Sequence, residues 1–423
     1  YCGDLLMDGV ASAEVSLYPE TVPGLELLWS RRLSGPIASS PTVASGRVYV
    51  GDWSGTEWAL DAVSGAILAT ANLGTTTSPP CNPPTLGITS AGAVWGSLLY
   101  VAGGDDAFYA LDARTLAVVW RTHLGDNPPG GGYYGWCSPA VVNGVVIQGI
   151  ASDCISPFVQ GQVVALDAAS GRVLSVADLV PDTDLGAGVW SSPCVDLATR
   201  SVYVSTGSAP NNTTGKASSI VRLSLDGLGI VESWRPGSAL GDWWDADWGS
   251  SPTLFSDGAG RALVGAGHKD GHYYAFDRMN LAAGPVWTAT LANEGDVPQS
   301  GEGTLSTAAF DGHHLYVGGG VPPGNSDPAV GGSVSALDPA TGAIVWRRYT
   351  AGTVVAPVST ANGVVFSTAG NLAFALDAAT GNVLWSTPTA GGCYGGVAIA
   401  HGRIYFGDLA GTLYCFSIRG ATP

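Results

Sequence analysis

A seven-residue motif recurs along this chain, and no other feature constrains the fold as tightly. It reads Ala59-Leu60-Asp61-Ala62-Val63-Ser64-Gly65 and returns as Ala165-Leu166-Asp167-Ala168-Ala169-Ser170-Gly171. It returns again as Ala336-Leu337-Asp338-Pro339-Ala340-Thr341-Gly342 and as Ala375-Leu376-Asp377-Ala378-Ala379-Thr380-Gly381. Degenerate copies stand at Ala110-Leu111-Asp112, at Ala275-Phe276-Asp277 and around Leu223-Ser224-Leu225-Asp226. Each copy follows two short apolar runs and precedes a third that often ends in Trp, as at Trp120, Trp346 and Trp385. The chemistry is structural. The Asp opens a turn by accepting backbone N–H groups ahead of it, the Gly takes a φ > 0 position, and the Trp fills space between sheets.

Four short strands per unit of roughly 40 residues is the pattern of a propeller blade. The seventh unit reads as strands over 354–360, 363–368, 371–377 and 382–386. Blades are expected to start near Gly35, Ala91, Trp136, Val189, Trp248, Gly303, Val354 and Tyr394, which makes eight. The last unit has three strands before the chain ends at Pro423. Residues 25–33, with Trp29 in the fourth-strand pattern, are expected to complete it and remove an exposed sheet edge. No composition shift divides the chain, so residues 1–423 read as one all-β domain, an eight-bladed β-propeller with an arm over 1–24.

Composition narrows the function. Hydrophobic residues at 46% against 12% charged exclude a disordered chain. A net charge of −17 repels phosphate backbones, so no nucleic-acid partner is expected. No apolar run reaches the roughly 18 residues of a membrane helix, and no membrane insertion is expected. The chain opens on Tyr1 without Met, and the expectation is a processed, exported protein, secreted or periplasmic. Seven cysteines include no C-x-x-C pair, which leaves zinc ribbons and covalent haem unsupported. Overlapping glycosylation sequons fall at Asn211 and Asn212.

Function is sought where the repeat is locally broken, in the loops that lead into the inner strands. Three stand out: 127–136 with Pro, Gly and Tyr, 240–249 with Trp and Asp, and 297–304 with Glu302. These strings and the repeat resemble the pyrroloquinoline-quinone-dependent alcohol dehydrogenases, especially the polyvinyl-alcohol-dehydrogenase-like branch. The resemblance covers nearly the whole chain and implies a propeller of quinoprotein type. It places Trp190, before Asp196-Leu197-Ala198-Thr199, as the floor under the quinone. It makes Asp245 in Trp244-Asp245-Ala246-Asp247-Trp248 the catalytic base, with Asp247 a second candidate. It assigns Lys269 in Lys269-Asp270-Gly271-His272-Tyr273-Tyr274-Ala275-Phe276-Asp277-Arg278 to the quinone oxygens. Lysine occurs only there and at Lys216, which makes a chance match improbable. Trp248 and Glu302 join Trp190 and Lys269 as cofactor-binding candidates.

The family's Ca²⁺ takes oxygen ligands from a Glu, an Asn and the catalytic Asp. The corresponding positions here are Asp153, Ser208 and Asp245, so two ligands depart from the pattern. The adjacent-cysteine disulfide of many members is missing, and Cys81 stands alone in sequence. Cys137 and Cys154 are candidates for a bond within one blade. Two readings stay open. One is an exported dehydrogenase that oxidises a small or polymeric alcohol with pyrroloquinoline quinone and Ca²⁺ and passes electrons to a separate acceptor. The other is a cofactor-free propeller that binds a protein or glycan at its funnel face through Tyr133-Tyr134-Gly135-Trp136 and Trp243-Trp244.

Overall fold

The computed structural model describes residues 7, 9–79, 81–154, 156–210, 215–237 and 245–421. The sequons at Asn211 and Asn212 and the pair Trp243-Trp244 lie outside the described residues. Eight antiparallel sheets surround one axis. Blade 1 pairs Thr42–Ala44, Arg47–Gly51, Thr56–Asp61 and Ile67–Asn72 in that order from the axis outward. The innermost strands of blades 2 to 8 are Ala93–Trp95, Ala140–Val142, Cys194–Asp196, Thr253–Ser256, Ala309–Phe310, Ser359–Ala361 and Ala398–Ala400. Blade 8 takes its outer strand from Glu26–Arg32, which runs antiparallel to Thr412–Ser417 with Glu26 opposite Ser417. The N-terminal strand therefore closes the ring.

Burial follows the layering. In blade 1 the second strand is buried over Val48–Gly51, whereas the outer strand Ile67–Asn72 is largely exposed. The apolar clusters lie between blades. Tyr49 and Ala59 of blade 1, for example, pack against Leu99, Val101 and Tyr109 of blade 2.

The repeat explains this contact. Asp167 accepts Ser170 N–H and Oγ–H at 2.9 and 2.6 Å, and Asp377 holds Thr380 likewise at 2.8 and 2.7 Å. Gly171 takes φ +72°. It also meets the previous blade: a Cβ on Gly171 would lie 2.5 Å from the Trp120 ring. The same holds between Gly65 and Trp29, Gly342 and Trp287, and Gly381 and Trp346. Each of these indoles donates to a turn carbonyl of the next blade, Trp120 to Ala168 at 3.0 Å and Trp346 to Ala378 at 2.9 Å.

The innermost strands begin later than the apolar pattern predicts. Blade 7 starts at Ser359, not Val354. Pro357 has no N–H to give to a ladder. Val354 and Val358 donate instead to Gly319 and Thr307 of blade 6. These leading segments wrap the axis rather than extend the sheet.

An arm lies across the far end of the axis. Ala11 N–H donates to Thr360 O and Thr360 N–H to Gly9 O, at 2.9 and 2.8 Å. Buried Glu14 accepts N–H groups of Val15, Ser16, Leu17 and, in blade 8, Gly402. A cavity of about 350 Å³ is enclosed between Gly9–Glu14 and the inner strands of blades 1 and 8.

Candidate active site in the axial cavity

A larger cavity of about 660 Å³ opens at the other end of the axis, where the leading segments of the inner strands converge. Its wall is built by hydroxyls that stitch successive blades. Ala91 N–H donates to Ser138 Oγ, Ser138 N–H to Ser192 Oγ, Ser192 N–H to Ser251 Oγ and Ser251 N–H to Thr307 Oγ1, all at 2.9–3.1 Å. Gly396 N–H of blade 8 donates likewise to Ser40 Oγ of blade 1 at 2.8 Å. Ser39-Ser40-Pro41, Cys137-Ser138-Pro139, Ser191-Ser192-Pro193 and Ser250-Ser251-Pro252 carry this girdle in the sequence. The repeated Ser-Pro is the signal that the search for catalytic strings passes over.

Trp190 stands just before the inner strand of blade 4 and lines the cavity. Two glycines make its seat. A Cβ on Gly249 would lie 2.5 Å from the indole edge, and one on Gly207 3.3 Å from its Nε1. Above the ring is Lys269, with Nζ 5.5 Å from the centroid, within cation–π range.

Asp245 and Asp247 face the cavity together, because alternate residues of an extended segment share a side. Lys269 Nζ lies 2.8 Å from Asp245 Oδ2 and 2.8 Å from Asp247 Oδ1. Ser208 donates its N–H to Asp247 Oδ2 at 2.9 Å, and its hydroxyl lies 3.1 Å from both Asp247 Oδ2 and Asp245 Oδ1. Burial, then the charge of Asp247, raises the Asp245 carboxyl above the ordinary range, against the pull of Lys269 and Ser208. Burial would lower the Lys269 ammonium, but the carboxylates of Asp247 and Asp245 outweigh it and hold it raised. A carboxylate with a raised pKa is a competent proton acceptor near neutral pH.

The remaining candidates go elsewhere. Trp248 is turned into the apolar cluster between blades 4 and 5, edge-on to His268 at 4.9 Å and tilted against Tyr274 at 5.4 Å. Glu302 lies outside the cavity lining and accepts Val297 N–H at 2.9 Å. Asp153 does line the cavity, from blade 3, but its Oδ1 accepts Gly132 N–H at 3.2 Å. Of the expected Ca²⁺ ligands, Ser208 and Asp245 meet, and Asp153 lines the same cavity from blade 3 with its Oδ2 buried and without a partner among the described residues. Among the described residues, no group of three or more His, Cys, Asp and Glu is placed to hold a metal. Such an ion needs six to eight oxygens, and here Lys269 already contacts both carboxylates of the acidic pair.

The cysteine expectation is corrected as well. Cys81 pairs with Cys154 across 73 residues, and both line the cavity. Cys137 is free and buried, its Sγ accepting from Gly149 N–H at 3.3 Å. A bond between distant loops has no local signature. In the funnel cluster, Trp136 lines the cavity while Tyr134 is buried beneath it.

A quinone suits this cavity. Trp190 offers a flat face, and Lys269 is a cation beside it. On the opposite wall, Trp53 Nε1 and Ser90 Oγ are buried with no partner among the described residues, and Thr89 lies beside Tyr134. The lining sets Asp153, Asp245 and Asp247 against Lys269, an acidic balance that opposes the carboxylates of pyrroloquinoline quinone and leaves Lys269 to meet its negative charge.

The family described as "Outer membrane protein assembly factor BamB", a quinone-type repeat, matches residues 23–80, 85–283 and 269–422. The polyvinylalcohol dehydrogenase of Sphingopyxis sp. (strain 113P3) is 26% identical over 372 residues, covering 77% of this chain and 55% of the relative. The quinohemoprotein alcohol dehydrogenase ADH IIB of Pseudomonas putida is 28% identical over 330 residues, covering 66% of this chain and 46% of the relative. The chain spans about half the length of these curated relatives. A solved europium-containing methanol dehydrogenase superposes with a TM-score of 0.78 at 16% identity, over 97% of this chain and 96% of that one. This likeness is one of fold.

Proposed function

Since the chain belongs to the family of pyrroloquinoline-quinone repeat propellers and resembles its alcohol dehydrogenases, we propose that it is a quinoprotein dehydrogenase. One observation carries the reading: Trp190, Lys269 and Asp245 meet at one axial cavity, with Lys269 within reach of both the indole face and the carboxylate. Trp190 would support pyrroloquinoline quinone, Lys269 would meet its oxygens, and Trp53 and Ser90 would receive its far side. When bound, the quinone supplies the hydride acceptor. Asp245 takes the hydroxyl proton of a primary or secondary alcohol, small or polymeric. Among the described residues no helix is long and apolar enough to cross a membrane. On this reading the protein works outside the cytoplasm and hands electrons to a separate acceptor.

The test is a titration with pyrroloquinoline quinone followed by Trp fluorescence, paired with dye-linked alcohol oxidation. Saturable quenching is expected, weakened tenfold or more in Lys269→Ala. Asp245→Asn should keep the quenching and lose about 100-fold or more in rate. Quenching that never saturates would remove the enzymatic reading. A second reading, a cofactor-free propeller binding a protein or glycan at the same mouth, is favoured by the acidic balance of the wall.

A further inference from the structure

The group formed by Asp245, Asp247, Ser208 and Lys269 is almost sealed from solvent, with side chains of the two acids and the lysine at most 8% exposed. Two buried carboxylates side by side are stabilised by a cation between them or by a proton on one of them. In this chain the cation is covalent. Lys269 is rooted by its own backbone: its N–H donates to Asp247 O at 3.1 Å, and its carbonyl accepts Gly295 N–H at 3.0 Å. Gly303 packs on it from behind, where a Cβ would come within 3.1 Å of the Lys269 Cα. Trp248 and His268, the neighbours of Asp247 and Lys269, form an antiparallel bridge that fixes the two segments in register. The ammonium is therefore delivered to the gap between the acids by main-chain pairing.

A divalent ion bonding Asp245 Oδ2 and Asp247 Oδ1, the oxygens that Lys269 meets, at 2.3–2.6 Å would have to occupy the same gap. It would meet a fixed positive charge there. Ser208 adds one hydroxyl, which has a single proton for two carboxylate oxygens. The third expected donor, Asp153, stands on blade 3, where its Oδ1 accepts Gly132 N–H.

We infer that Lys269 is the resident cation of this site, standing between Asp245 and Asp247 in place of a divalent metal, so that the cavity takes its ligand without one. The part concerning ligand binding rests on the quinone reading above. The part concerning the cation rests on the geometry alone.

The experiment uses the full chain, stripped with EDTA. Calorimetric titration of the wild type with Ca²⁺ is expected to show no stoichiometric site. Quenching by pyrroloquinoline quinone should have the same midpoint, within twofold, in EDTA and in millimolar Ca²⁺. Lys269→Met should gain a stoichiometric Ca²⁺ site, and adding Asp247→Asn should abolish it. A wild-type midpoint that tightens tenfold with Ca²⁺ would overturn the inference. So would a stoichiometric wild-type Ca²⁺ site lost in Asp247→Asn, or a folded Lys269→Met that gains none. If Lys269→Met fails to fold, as judged by circular dichroism, the two wild-type titrations decide. If no quinone binds under any condition, the dehydrogenase reading falls while the Ca²⁺ titrations still judge the lysine.

Discussion

The Ser208 hydroxyl lies within 3.1 Å of an oxygen on each of two acids, yet it has only one proton to donate. The second contact becomes a hydrogen bond when a carboxyl carries a proton, and Asp245, raised by burial and by Asp247, is the acid suited to hold it. Alcohol oxidation should therefore rise as pH climbs through a value above the ordinary carboxylate range, and Asp247→Asn should move that limb down, as a pH–rate profile would show. Asp270 behaves in the opposite sense. Burial opposes its charge, but hydrogen bonds from His268 and His272, and from Tyr274 at 2.5 Å, hold its pKa well down. A depressed folded pKa contributes stability that is present above the unfolded value and lost as pH falls through the folded one. Asp270→Asn should lower Tm near neutral pH and flatten its decline toward acid; a melt series with the wild-type slope intact would contradict this. The sequence strings locate Trp190, Asp245 and Lys269 because each residue is read within its own strand and loop. They misdirect Trp248, since neighbouring residues of an extended segment face opposite ways, and the residue beside Asp247 is turned into the core.

The repeating turn is legible in sequence because its Asp and Gly act on their immediate neighbours. Its second role is not, because the partner is a tryptophan one blade away. Gly171 combines a positive φ with a ring edge in the space a side chain would fill. Gly171→Ala should cost about 2–4 kcal/mol from backbone strain plus overpacking, read as a lower Tm or denaturant midpoint. Gly144→Ala has the strain (φ +78°) but open space around it, and should cost less than half as much. The same contrast of range explains the cysteines and the serine girdle. Cys81 and Cys154, and each Ser-Pro hydroxyl and the N–H that it accepts, come together only once neighbouring blades have packed.

Across the whole molecule, eight sheets count on one short segment for closure and on one arm for the far end of the axis. Glu14 anchors that arm by accepting Gly402 N–H of blade 8 and shapes it by accepting Val15, Ser16 and Leu17 N–H. Glu14→Ala should destabilise the arm by roughly 2–3 kcal/mol, since buried donors lose their acceptor. Hydrogen exchange would register this as faster exchange at Ala11 and Thr360, with the outer strands unchanged. Blade number and strand order are local periodicities and read directly from the chain, whereas the path of the arm depends on contacts more than 340 residues apart. That path has a bearing on traffic. The arm crosses the far end between Thr360 of blade 7 and Gly402 of blade 8, whereas Asp245 faces the wide mouth at the opposite end. On the dehydrogenase reading, a long polymer would meet Asp245 as an end or a bent segment entering that mouth.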